Sequence, residues 1–97
     1  MATVNDLRTA CERFRAANPK HRTAFRDSAS AVARALSKEQ QSRVALLEKR
    51  WAWLDANEGH PLFAEREDAL LAELALYERT EDALRGAAGV LYGGSAA

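Results

Sequence analysis

The chain has 97 residues, 47% of them apolar and 29% charged, with equal numbers of basic and acidic side chains. This balance is too apolar for a disordered chain, and no stretch approaches the roughly 18 consecutive apolar residues of a membrane span. The N-terminal "ATVNDLRTACERF" places charges where a signal peptide would need an apolar run, so a cytoplasmic protein is expected.

Only two prolines and five glycines occur, and four of the glycines lie at or beyond Gly86. Alanine, leucine, arginine and glutamate dominate the rest, all strong helix formers. An all-α fold of four helices follows, about 4–17, 19–36, 38–57 and 61–91. The first two are expected to pack on a long antiparallel hairpin made by the others. Residues 1–92 are read as one helical domain and 93–97 as a flexible tail.

In the first helix Val4, Leu7, Cys11 and Phe14 recur at helical spacing and form one apolar stripe. Cys11, the sole cysteine, falls in that stripe and is read as a core thiol rather than a nucleophile, since no histidine lies near it in sequence. Asn18-Pro19 ends this helix and can start the next, with Asn18 as N-cap and Pro19 in the first helical position. The second helix places Phe25, Ala29, Val32 and Leu36 on one face. "SKEQ" at 37–40 has the spacing of a capping box, which predicts a fresh helix start at Lys38. The third helix then carries Val44, Leu47, Trp51 and Leu54 on one stripe, with Leu46 and Trp53 on another. In the fourth helix two seven-residue columns appear: Phe63, Leu70, Tyr77, Leu84 and Leu91, and beside them Leu62, Ala69, Leu76, Ala83 and Val90. A helix from Pro61 to Leu91 would be ~45 Å long at 1.5 Å per residue, whereas a compact chain of this size has a radius of gyration near ~13 Å. Either this helix breaks near Gly86 or a second chain covers its projecting, still apolar part, and the second chain is the preferred expectation.

Charge is unevenly placed. Residues 1–36 carry seven Lys/Arg against three Asp/Glu, and residues 61–97 three against seven. Basic early helices lying against the acidic last one, within or between chains, account for this. A nucleic-acid surface is the alternative, but the basic residues are neither clustered nor interleaved with aromatics.

The chemistry-bearing motifs are few. "DANEGHPLFAE", Asp55 to Glu65, resembles a calcium loop with Asp55 and Asn57 as early ligands, Gly59 as the turn and Glu65 as the closing acid. It is one residue short and lacks its fifth-position ligand. A helix-to-helix hinge explains it better, with Asn57 or Gly59 closing one helix in a left-handed cap and Pro61 opening the next. Trp53 and Leu54 on one arm, with Leu62 and Phe63 on the other, would plug the hinge. His21 and His60 have no partner at metal-ligand spacing, and no Glu-x-x-His pair is present. No phosphate loop, nucleophile–histidine pair or cofactor motif occurs, so neither metal, cofactor nor catalysis is expected.

Residues 30–44 have a faint helix-turn-helix character. Were it a DNA- or RNA-binding element within the basic residues 8–43, Arg34, Lys38, Gln41 and Arg43 would make the contacts. The preferred reading is a small self-associating helical module, an adaptor or accessory subunit, paired as a homodimer or with another protein. Trp51, Trp53, Phe63, Leu70, Tyr77 and Leu84 are its candidate interface residues.

Overall fold

A computed structural model describes residues 2–93, all of whose regular structure is helical. Helix α1 spans Val4–Ala16, α2 spans Arg22–Ala56 and α3 spans Phe63–Ala88. A short 3-10 turn, Pro19–His21, leads into α2, and a π-helical turn, Gly89–Gly93, follows α3. The tail expected at 93–97 lies outside the described residues apart from Gly93.

The helix count corrects the expectation of four. Residues 19–36 and 38–57 do not form separate helices: α2 runs through Ser37 without a break. A capping box acts only where the backbone already leaves the helix. Here no glycine or proline lies between Arg22 and Ala56 to make it leave. Continuity is also what aligns the buried face. Ala29 and Leu36, then Gln40 and Leu54, are buried along one line at heptad spacing, and a bend at Ser37 would break that line.

Helix α1 starts at a true capping box. The Thr3 hydroxyl accepts from the Asp6 backbone N–H at 3.1 Å, and Asp6 Oδ2 accepts from the Thr3 N–H at 3.0 Å. Asn18 accepts from the Lys20 N–H at 3.0 Å, with Pro19 in the first position of the turn into α2. The hinge between α2 and α3 differs from expectation. Asn57 closes α2 with φ −132°, and no described residue has positive φ, so the left-handed cap is absent. Its side-chain amide instead donates to the Trp53 carbonyl at 2.7 Å. Pro61 stays in the turn, and α3 starts two residues later at Phe63.

Helices α2 and α3 form an antiparallel hairpin, and α1 lies in the groove between them at one end only. The molecule is therefore long, 61 × 28 × 16 Å, with a radius of gyration of 17.6 Å against ~13 Å for a compact chain of this length. Two regions result. A three-helix body joins α1 to the N-terminal part of α2 and the last third of α3. Its core contains Leu7, Cys11, Phe14, Ala29, Leu36, Ala87 and Leu91, all at most 9% exposed. Beyond it, residues 44–79 project as a bare two-helix arm ending at the hinge.

Candidate interaction surface

The arm has an unusual distribution of residue types. Its α2–α3 seam buries Leu54 and Leu70, while Arg50 and Glu73 stand at the partly exposed edge of that seam and Gln40 and Arg43 adjoin them at the junction with the body. Gln40, 4% exposed, donates to the Tyr77 carbonyl at 3.0 Å and to Glu81 Oε1 at 3.1 Å, while its own oxygen accepts from Arg43. Glu73 sits between two guanidinium groups, 3.6 Å from Arg43 Nε and 3.8 Å from Arg50 Nη1. Such partly exposed pairs add little stability, but a misregistered seam would strand them, so they hold the helices in one alignment.

Other large apolar side chains lie outside this seam. Of the seven that are exposed among the described residues, Leu46, Trp51, Leu62, Leu71 and Leu76 belong to the arm, whereas only Phe25 and Tyr92 belong to the body. At 100° per residue, Leu46 and Trp53 on α2 share one side with Leu62, Ala69 and Leu76 on α3; Trp51 and Leu71 take the opposite side. Isolated exposed leucines are ordinary, but a contiguous apolar set rimmed by charge marks a contact surface.

One of these sides continues the groove that α1 occupies. The column Leu62–Ala69–Leu76–Ala83–Val90 runs the length of α3. Its last two members pack on the core beneath α1, and its first three are exposed. The N-terminus of α1 marks the boundary, standing beside Leu36 and Arg43 of α2 and Leu76 and Ala83 of α3 around an open cleft of about 740 Å³. Toward the hinge the groove narrows onto Trp53, Leu62 and Ala69. There the Trp53 ring meets His60 edge-on at 5.1 Å, and the Arg66 guanidinium lies 4.9 Å from its centre. His60 Nδ1 accepts from the Leu62 N–H at 3.0 Å, which orients the ring.

The six candidate interface residues take different places. Trp51 is 57% exposed. Trp53, Phe63 and Tyr77 are half-buried. Leu70 is buried at 2% exposure in the seam, and Leu84 packs on the body core. Leu46, Leu62, Leu71 and Leu76 are the exposed leucines of the arm that the sequence did not single out as anchors. The pairing of columns 62–69–76 and 63–70–77 offered a signal for two of them, because only one of two adjacent columns can face a single partner helix. Of the four candidate nucleic-acid contacts, three share one exposed face of α2 and the fourth does not. Arg34, Lys38 and Gln41 are on the outer surface of α2, but Arg43 faces the seam and bonds Gln40 and Glu73. The turn that a helix-turn-helix needs is replaced by continuous helix.

Other chemistry is sparse. Among the described residues no three His, Cys, Asp or Glu side chains gather as metal ligands, and Asn57 of the calcium-like loop is turned back onto α2. No helix among them is long and apolar enough to cross a membrane. Cys11 is buried in the body, and that burial pushes its thiol pKa up despite the nearby Arg15. Arg22 and Arg26 lie over the Phe14 ring at 5.4 and 5.2 Å, closing the end of the body away from the hinge. No family model, curated protein or solved structure matches the chain.

Proposed function

We propose that the protein is a non-catalytic helical interaction module that works by self-association through its arm, as a homodimeric adaptor or accessory subunit. One observation carries the reading: beyond a seam that buries only Leu54 and Leu70, the arm presents Leu46, Trp51, Leu62, Leu71 and Leu76 outward. A two-helix hairpin made to stand alone would keep most of its large apolar residues between the helices. Burying Leu46, Leu62 and Leu76 under a partner would each contribute about 1 kcal/mol, taken as half the value for a fully exposed leucine. No comparable contribution is available to the monomer.

Sedimentation velocity tests the proposal directly. Dimers are expected at micromolar concentration, and Leu46→Asp, a change at a 40% exposed position, should give a monomer with unchanged helicity. A wild-type protein that stays monomeric up to about 100 µM, where even a weak association of about −5.5 kcal/mol would show, would remove the reading.

A further inference from the structure

The uncovered groove has a definable occupant once the charges are placed on the fold. The arm, residues 44–79, carries four Lys/Arg against eight Asp/Glu, and the body, residues 2–43 with 80–93, carries ten against six. The molecule is thus acidic at the hinge end and basic at the other, along an axis of 61 Å. Two arms laid against each other would bring like charge together, which opposes association.

We infer that the second copy lies antiparallel, so that the acidic arm of each chain covers the basic α1–α2 surface of the other. This rests on the self-association proposed above and fixes its arrangement. Shape agrees with charge. Helix α1 stands as a ridge on the body, and the arm beside it has the recess where a third helix is missing. Antiparallel copies seat each ridge in the other's recess, with the two α1 helices end to end. The receiving surface is a shallow groove between α1 and α2, where Thr9, Ala10, Ala24 and Ser28 allow close approach and Phe25 offers an exposed ring. Large side chains project from the arm, and the groove that would accept them has a small-residue floor with Arg13 and Asp6 also lining it.

Area favours closure as well. Fourteen residues of arm are about 21 Å long at 1.5 Å per residue, and two helices about 10 Å apart present a face roughly 20 Å wide. Two such contacts, each with two sides, would remove about 1,700 Å² from solvent, the size of a stable interface, whereas a single open head-to-tail contact would remove only half of that. The two-fold arrangement also ends assembly at the dimer, where an open one would continue into a filament.

Complementary charge reversal distinguishes this arrangement from any other dimer. One variant carries Arg13→Glu, Lys20→Glu and Lys38→Glu on the body; a second carries Glu58→Lys, Glu65→Lys and Asp68→Lys on the arm. All six positions are exposed. Each variant alone should dimerise roughly tenfold or more weakly than wild type, because it opposes like charges, and an equimolar mixture should recover to within about threefold. Wild-type association should also weaken as NaCl rises from about 0.1 to about 0.5 M, which shortens the screening length from ~10 to roughly 4 Å. If the arm-reversed variant associates as tightly as wild type or more tightly, or if salt strengthens the wild-type dimer, the arm-on-body arrangement is wrong while self-association stands. A wild-type chain that is monomeric throughout removes both. Circular dichroism checks that the variants remain helical; should either lose helicity, Arg13→Glu and Glu65→Lys alone make the same comparison.

Discussion

The body and the arm are built from the same two helices, yet they are stabilised differently. Seven of the nine buried apolar residues among the described positions lie in the body, and only Leu54 and Leu70 lie in the arm. Three helices can enclose a core; two can only share a seam. In the body α1 contributes Leu7, Cys11 and Phe14 to the groove between α2 and α3, where they form one apolar cluster with Ala29, Leu36, Ala87 and Leu91. In the arm the same groove is empty of a third helix, and its seam holds Leu54 and Leu70 with the Arg50–Glu73 pair at its edge. The contrast shows that a single amphipathic helix can be complete along one part and unfinished along another.

Substitutions can break or sharpen that contrast. The largest effect should come from Leu7→Ala in the body. Leu7 is 1% exposed, and its loss should cost about 2–5 kcal/mol in denaturant unfolding at any protein concentration. The corresponding deletion in the arm, Leu71→Ala at a 53% exposed position, should change unfolding by no more than about 0.5 kcal/mol in dilute protein. Equal costs at the two sites would mean that the arm is as enclosed as the body.

Glu73→Gln comes next. It leaves Arg43 and Arg50 without their carboxylate, and since all three are partly exposed the loss should be about 1 kcal/mol. Arg43→Met should be nearly neutral in stability, because an apolar residue replaces a desolvated charge. A large loss from Arg43→Met would show that the ionic seam stabilises the arm rather than only aligning it. Gly86→Ala should raise stability by about 0.5–1 kcal/mol, since the glycine is helical and an added Cβ meets nothing within 4 Å.

The smallest effect concerns Cys11. Its folded pKa lies above the unfolded value of 9.0 because burial disfavours the thiolate. The folded state therefore holds this proton more tightly than the unfolded one. That contribution is present below pH 9 and is lost as pH rises through the raised folded value. Cys11→Ala should flatten this alkaline decline when unfolding is followed between about pH 8 and pH 10. An unchanged slope would mean that the thiol is not enclosed by the body.

Much of this fold is legible in residue types. The scarcity of glycine, proline and β-branched residues gives helices, and Asn18-Pro19 and the Gly59–Pro61 region mark the two real turns. The column from Phe63 to Leu91 is the inward face of α3 and its π-helical extension. What the sequence misstated was local. Ser37 and Gln40 have the spacing of a cap, but spacing alone does not say that the backbone leaves the helix there, and the heptad line through Leu36 and Gln40 decides otherwise. Trp51 shares the spacing of Val44, Leu47 and Leu54 but does not share the burial of Leu54, being 57% exposed. A second apolar helix face on α3 would be needed to receive it, and Glu73 and Tyr77 instead meet Arg43, Arg50 and Gln40. The candidate surface was harder to read for the same reason: which of two adjacent columns faces solvent depends on where α1 stops, and that is set by packing rather than by any motif.

Hydrogen exchange followed as a function of protein concentration tests most directly whether the arm is completed by another copy. The amides of 44–57 and 62–76 should exchange quickly in dilute protein and slow down as concentration rises into the micromolar range, while those of Ala29, Leu36 and Ala87 in the body stay protected throughout. Arm amides whose exchange does not depend on concentration would contradict the account.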